Sequence, residues 1–300
     1  MLPVGIIGAG PEWETTWRPA LLAQSRLKVA AFHDPIAARG EAAALDVDAP
    51  LLAGARDLLD VPGLRGLLVL DAGWLGAWVV REAARRGLAT LIASGAIPFR
   101  QLADVDDASP GDVVVQPDLR RRYTPATMRL RELTATTLGP IQFLSAEMQA
   151  APSETLARLS ALVDWCRFVV QSAVVRAEPG AEVASLRLTF RKEEDGHPVR
   201  AEVRIAPTAE TSVAPDFSAE VACRSGAVSI RDNRCLAWRT ADSSEDEQLS
   251  DDRSSAHVQL DLFGRRLVGG LVPAPGLEDL QSAARLVRDA LEQASPPPSI

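Results

Sequence analysis

The order of structural elements is set at the start of the chain, where residues 4–34 read VGIIGAGPEWETTWRPALLAQSRLKVAAFHD. An apolar run predicts a buried strand, two glycines predict a tight turn into a helix, and a second apolar run predicts the next strand. This succession is half of a dinucleotide-binding fold. There the loop Gly8-Ala9-Gly10 would bind a pyrophosphate, and Asp34 would accept hydrogen bonds from ribose hydroxyls.

Two features of the loop depart from the G-x-G-x-x-G pattern. Trp13 replaces the third glycine, which normally permits close packing of helix and strand. Glu12 and Glu14 suit a helix N-terminus but would repel a pyrophosphate. The alternative interpretation is an ordinary helix after a strand turn, with Pro11 as its first residue.

Composition excludes several classes of protein. With 300 residues, 47% of them hydrophobic, the chain can bury a large core and has the length of two domains. A net charge of -8 argues against nucleic-acid binding. The longest apolar stretch, Leu67 to Val80, is too short to span a bilayer, and no basic leader precedes the first strand, so we expect a cytoplasmic protein. The three cysteines lack metal-ligand spacing, which predicts reduced thiols and no metal site.

Strands and helices alternate through the first third of the chain. This predicts an α/β architecture, a Rossmann dinucleotide-binding domain over residues 1–117 with a doubly wound parallel sheet. A short third strand is expected at 49–52 and a helix at 74–86. Asp71 follows an apolar strand, at the edge where such sheets bind ligands, or else caps the next helix. Trp74 would line a nicotinamide or sugar pocket, or anchor that helix.

From Glu182 onward the hydrophobic period changes to two. The pattern predicts a mostly antiparallel, open-faced sheet in an α+β domain over 118–295, of the substrate or oligomerisation type. One strand is expected at 257–262, with His257 on its polar face. The acidic, serine-rich residues 240–255 predict a solvated loop. A final helix is expected at 277–291, and a disordered tail at 296–300.

Polar residues in the second half suggest a ligand site. Arg120, Arg121 and Arg122 precede the only tyrosine, Tyr123, and guanidinium groups suit anions or sugar hydroxyls. The alternative is a solvated helix entrance. Asp164 lies on a helix predicted at 154–171, where it would pair with Arg167.

Together these features resemble the Gfo/Idh/MocA oxidoreductases, named for glucose-fructose oxidoreductase and inositol dehydrogenase. The resemblance is carried by the Rossmann half, the antiparallel sheet and three short motifs: Arg-Tyr-Thr-Pro at 122–125, Leu-Gly-Pro-Ile at 138–141 and Asp-Trp-Cys-Arg at 164–167. It implies a nicotinamide cofactor in the first domain and a sugar-like or cyclitol-like substrate. It also implies a homo-oligomer, against which the charged outer face of the sheet argues.

The residues and the resemblance together give two expected sets, and Gly8, Gly10 and Asp34 fall on the family's cofactor positions. The expected cofactor-binding residues are Gly8, Ala9, Gly10, Asp34, Asp71 and Ser94. The expected substrate-binding residues are Arg122, Tyr123, Trp74 and Asp164. NAD is expected rather than NADP, because Asp34 would repel a 2′-phosphate, although Arg39 is a nearby cation that opposes this choice.

The family's catalytic residues do not carry over. Where family members read Glu-Lys-Pro, this chain reads Ala-Ser-Gly at 93–95, so Ser94 replaces the lysine. Aligned on Asp164, the family's aspartate and histidine are Ala157 and Ala161. Such proton carriers contribute about 100- to 10,000-fold in rate.

Few residues could replace the missing proton carriers. Lys28 and Lys192, the only lysines, are badly placed, which leaves Asp71, Tyr123 and Asp164 as candidates. Three hypotheses follow: a catalytically impaired homologue that binds NAD(P), an active NAD-dependent dehydrogenase of a sugar or cyclitol hydroxyl with relocated acid and base groups, or a non-enzymatic interaction protein.

Overall fold

A computed structural model describes residues 1–98, 101, 105, 113–191, 198–208, 216–250 and 252–294. Lys192 and the predicted tail at 296–300 lie outside these ranges. The chain divides into two compact units. The first comprises Met1–Arg120 and Arg253–Gln281, and the second comprises Arg121–Asp252 and Ser282–Ile300.

The helices of the described residues fall on both sides of this division. The α-helices are α1 (Arg18–Ala23), α2 (Ala37–Asp46), α3 (Ala55–Leu59), α4 (Trp78–Arg85), α5 (Pro125–Thr136), α6 (Thr155–Val170), α7 (Ser255–Leu267) and α8 (Leu277–Ala294). None of those that the structure describes is both long and apolar enough to span a membrane.

The first unit is built on a five-stranded parallel sheet, in the order β2-β1-β3-β4-β5. The strands are β1 (Leu2–Ile7), β2 (Leu27–His33), β3 (Gly66–Val69), β4 (Ala89–Ile92) and β5 (Val115–Pro117). Every residue of β3 and β4 is buried, as expected for strands covered on both faces. The predicted doubly wound sheet is confirmed. Because β2 and β3 flank β1, the chain reverses direction across the sheet at β1, where such sheets bind ligands.

The second unit is built on an eight-stranded sheet, in the order β13-β12-β11-β10-β6-β9-β8-β7. The strands are β6 (Ile141–Ala150), β7 (Val174–Pro179), β8 (Ser185–Phe190), β9 (Arg200–Pro207), β10 (Phe217–Cys223), β11 (Gly226–Arg231), β12 (Cys235–Arg239) and β13 (Ser244–Gln248). All neighbouring pairs are antiparallel except β6 with β9. Helix α6 packs on the apolar face, where Trp165 meets Phe217 edge to face at 5.1 Å. The predicted, mostly antiparallel sheet is confirmed.

The prediction of a strand at 257–262 is wrong, because these residues belong to the helix α7. The alternation of apolar residues there is too short to distinguish a strand from a helix. The side chains that α7 buries follow helical spacing: Ala256, Leu260, Phe263 and Leu267. His257 is in its first turn and donates its backbone N–H to Ser254 Oγ (3.2 Å), the N-cap.

The solvated loop predicted at 240–255 is also wrong in part, because β13 forms there. This acidic strand pairs with β12 at the sheet edge, where one side of the strand stays in water. Its residue Glu247 accepts hydrogen bonds from Arg129 and from Trp238 Nε1 (2.8 Å), which ties the strand to α5 and β12.

Two elements of the first unit are shorter than predicted. The strand expected at 49–52 is a single bridge between Phe32 and Leu51. The helix expected from residue 74 begins at Trp78, after a 3-10 turn at Gly73–Leu75. Gly76 ends that turn with φ 51°, and a Cβ there would lie 2.1 Å from Gln101 Oε1. The left-handed backbone and this close contact explain the break.

The cysteines agree with the prediction of reduced thiols. Cys166 and Cys223 are buried, Cys235 is half-buried, and all three are free. Across the described residues, no three His, Cys, Asp or Glu side chains are grouped so that they could hold a metal ion.

Candidate functional site at the carboxyl edge of the first sheet

The glycine loop packs on the end of β3. Gly8 and Gly10 both have positive φ, 73° and 66°. A Cβ on Gly8 would lie 2.0 Å from the Asp71 carbonyl oxygen, and one on Gly10 would lie 2.9 Å from that of Leu70. The protein's own backbone therefore requires both glycines, independently of any ligand.

Asp34, at the end of β2, is saturated with hydrogen bonds. Its side chain is 0% exposed. Oδ2 accepts from the backbone N–H of Ala9 (2.8 Å) and from Arg39 Nε (2.8 Å). Oδ1 accepts from the N–H of Ile36 (2.7 Å) and from Arg39 Nη2 (3.0 Å). A carboxylate has about four acceptor positions. All of them are used within the chain.

Arg39 also reaches the end of β3. Its Nη2 lies 2.7 Å from Asp71 Oδ2, and Asp71 Oδ1 accepts from the N–H of Gly73 (3.0 Å). Hydrogen bonding to Asp34 raises the pKa of Arg39 above its ordinary value, against a smaller opposing effect of burial. Asp34, Arg39 and Asp71 form what we call the Arg39 cluster. It links the loops after β2 and β3 across the end of β1.

The segment after the glycine loop begins as a π-helix. Residues Trp13–Trp17 form this π-helix, and α1 follows directly for six residues with Pro19 in its first turn. Trp13 is buried edge to face against Phe32 at 5.4 Å and donates Nε1 to Asp46 (3.2 Å). The tryptophan fills the space that the third glycine would leave.

A second charged group lies at the same edge, and the sequence analysis missed it. Arg120 Nη2 donates to Glu12 Oε1 (2.6 Å), and Arg120 Nε lies 3.5 Å from Asp118 Oδ2. The guanidinium stacks over Trp17 at 5.4 Å. Glu12, Asp118 and Arg120 form the Arg120 cluster. The available signal was position, since Asp118 directly follows β5 just as Asp34 follows β2.

Asp118 is the buried member of this cluster. Its side chain is 1% exposed, and it accepts from the N–H groups of Arg120 (3.2 Å) and Ser94 (3.3 Å). Burial raises the pKa of Asp118, although the Arg120 charge opposes the shift. Ser94 itself is exposed at the end of β4. Ser94 therefore contacts Asp118 through its backbone N–H, and this position has no lysine side chain.

These residues do not fit a nicotinamide dinucleotide in the arrangement they adopt. The acceptors that a ribose would need are taken by Arg39. Glu12 places a carboxylate at the glycine loop, where a pyrophosphate would bind. The loops after β2 and β3 meet, since a Cβ on Gly73 would lie 3.2 Å from Pro35 Cγ. Trp74, on the 3-10 turn, is 81% exposed.

The remaining predicted residues lie in the second unit. Arg122 donates Nε to Asp164 Oδ2 (2.9 Å) and Nη2 to Oδ1 (2.5 Å), so Asp164 is buried in a bidentate pair. Asp164 is therefore buried, whereas the predicted pair with Arg167 would place it on the surface of the helix. Tyr123 is half-buried in the 3-10 turn at Arg120–Tyr123. Ala157 and Ala161 lie one turn apart on α6 and offer no titratable group.

The three arginines at 120–122 do not converge on one site. Arg121 donates Nη1 to Asn233 Oδ1 (3.1 Å) and stacks over Phe217 at 4.3 Å, while Arg120 and Arg122 bind Glu12 and Asp164. Consecutive residues of a 3-10 turn point in different directions, which separates their side chains.

No family model and no curated protein matches the sequence. Solved structures do match it, over nearly the whole chain. A dehydrogenase from Chromobacterium violaceum is 15% identical, with a TM-score of 0.80 over 98% of this chain and 95% of that one. The dehydrogenase MviM from Clostridium difficile is 11% identical, with a TM-score of 0.79 over 97% and 99%. Levoglucosan dehydrogenase, solved with NADH and levoglucosan, is 14% identical, with a TM-score of 0.77 over 98% of each chain. The chain therefore has the fold of the Gfo/Idh/MocA-type dehydrogenases.

Proposed function

We propose that this protein keeps a dehydrogenase fold but does not carry out hydride transfer. One observation carries the proposal: each carboxylate left as a candidate base is already paired with an arginine. Asp71 binds Arg39, and Asp164 binds Arg122. A general base must accept the proton of a substrate hydroxyl within hydrogen-bond reach. Oxygens that already hold guanidinium donors are poorly placed to do so.

The residues at the family's catalytic positions support the same proposal. Ser94, Ala157 and Ala161 stand where the family has lysine, aspartate and histidine. An alanine cannot take a proton, and a serine hydroxyl carries no charge at neutral pH. One such replacement could be offset elsewhere, whereas three remove the whole proton path.

The function we propose in its place is binding of a small hydroxyl-rich molecule, of the sugar or cyclitol class. Levoglucosan dehydrogenase, which shares the fold, was solved with such a compound.

For a dinucleotide, the charge argument that favours NAD over NADP is weakened, because Arg39 compensates Asp34. Both cofactors therefore belong in every assay.

The test is cofactor turnover. The purified chain is mixed with NAD or NADP and a broad panel of polyols and sugars, and reduced nicotinamide is followed by absorbance. We expect no turnover above the protein-free rate. Turnover that falls in Asp164→Asn or Tyr123→Phe would contradict the proposal and support an active dehydrogenase with relocated acid and base groups.

Asp118 favours that alternative more than any other residue. It combines burial with a raised pKa at the edge where these sheets bind ligands, a combination typical of catalytic acids. An active enzyme of this kind would lose turnover in Asp118→Asn. The same substitution leaves a non-redox protein without any change in cofactor chemistry.

A further inference from the structure

We infer that Arg39 is an internal occupant of the ribose position, and that its side chain keeps the ribose of a dinucleotide from reaching Asp34 at the edge of the first sheet. The inference concerns the same site as the proposed function and rests on that proposal. Binding tests Arg39 and turnover tests the proposed function, so either can fail alone.

The first step is the hydrogen-bond inventory of Asp34. Two of its four acceptor positions are taken by backbone N–H groups of Ala9 and Ile36, which belong to the fold. The other two are taken by Arg39, which is a side chain and can leave. A ribose diol would donate its two hydroxyls to this carboxylate, which needs two acceptor positions for them. Only the positions held by Arg39 could become available.

The second step is the position of the guanidinium. Its Nη2 bonds Asp34 on the loop after β2 and Asp71 on the loop after β3. It therefore lies across the end of β1, over the glycine loop, where this class of sheet holds a dinucleotide. The group donates to both carboxylates, so both acids have hydrogen-bond partners without a ligand.

The third step separates Arg39 from the other obstacles. Glu12 is held by Arg120 and is partly neutralised. Trp13 is buried against Phe32. Neither fills the acceptors of Asp34. The Arg39 side chain, 31% exposed, can be shortened without opening the core.

The experiment is calorimetric titration of NAD into the full chain and into Arg39→Met, which keeps the aliphatic stem and removes every donor. We expect binding to Arg39→Met at least tenfold tighter than to the wild type, which is about 1.4 kcal/mol. Asp71→Asn should gain nothing, because Arg39 still holds Asp34. Arg26→Ala breaks a comparable pair with Asp261 in the same unit and should also gain nothing.

Two results would overturn the inference. The first is a folded Arg39→Met that binds no more tightly than the wild type. The second is a gain of equal size in Asp71→Asn or Arg26→Ala. If Arg39→Met fails to fold, hydrogen exchange on the wild-type chain decides. Added NAD should leave exchange at residues 8–10 and 71–76 unchanged, and protection there would contradict an occupied ribose position.

Discussion

The Arg39 and Arg120 clusters each place one arginine between two carboxylates at the same sheet edge, but their buried acids are solvated differently. Asp34 receives two short backbone N–H bonds, 2.7 and 2.8 Å, besides the bidentate arginine. Asp118 receives backbone bonds of 3.2 and 3.3 Å, and its arginine Nε lies at 3.5 Å. Burial accordingly dominates at Asp118 and raises its pKa. Backbone N–H groups therefore stabilise the charge of Asp34, whereas the charge of Asp118 depends more on Arg120.

The largest effect that would sharpen this contrast is expected for Arg120→Ala. The substitution removes the cation beside a buried acid and the stacking over Trp17, so we expect a loss of about 3 kcal/mol in the free energy of unfolding. Urea unfolding measures it. Arg26→Ala, which breaks a more exposed pair, should lose at most about 1 kcal/mol. Equal losses in the two variants would remove the distinction.

A smaller loss is expected for Arg39→Met. Asp34 keeps the N–H groups of Ala9 and Ile36, and water can reach the exposed part of the site, so we expect about 1 to 2 kcal/mol. The same urea titration compares the two clusters directly. A loss greater than that of Arg120→Ala would reverse the order of dependence we derive.

The pH dependence of the melting temperature should differ between the wild type and Asp118→Asn. Its folded pKa is raised, so the folded state holds this proton at pH values where the unfolded chain, near 3.9, has released it. The contribution to stability is therefore full below about pH 3.9 and is lost as pH rises through the folded pKa. Asp118→Asn removes it, so the melting temperature of the variant relative to the wild type should increase with pH over this window. A constant difference across that window would show that Asp118 titrates normally.

The smallest effect is expected for Glu12→Gln. The Glu12 side chain is about one-third exposed, and Arg120 keeps Asp118 and Trp17 as partners. We expect a change below about 1 kcal/mol in the free energy of unfolding. A loss as large as that of Arg120→Ala would mean that Glu12, and not Asp118, is the acid that depends on the arginine.

Sequence patterns located the elements with long periodicity and failed on short ones. The apolar runs of β3 and β4 and the repeat of α6 allow one interpretation each, because they bury whole faces. The three alternating residues at 258–262 fit two periods, and packing on the first sheet chose the helix α7. The charged strand β13 is stabilised by Trp238 on the neighbouring strand β12 and by Arg129, which is 118 residues away from Glu247 in sequence.

The sequence predicts where the candidate site lies, but it does not predict which of the charged side chains there are paired. Glycines after β1 and acids after β2 and β3 follow from the rule that parallel strands end at one edge. The rule also covers Asp118, which directly follows β5. Which arginine binds which acid depends on rotamers and on loop approach, and neither has a periodic signal.

By itself, the sequence determined two sheets of different type and the glycine turn after β1. These depend on residue identity and on spacing along the chain. Only the tertiary structure decided that Arg39 spans Asp34 and Asp71, that Arg120 joins Glu12 to Asp118, and that Arg122 binds Asp164. Charges pair over a few ångströms in space, and five to more than a hundred residues of chain separate most of these partners.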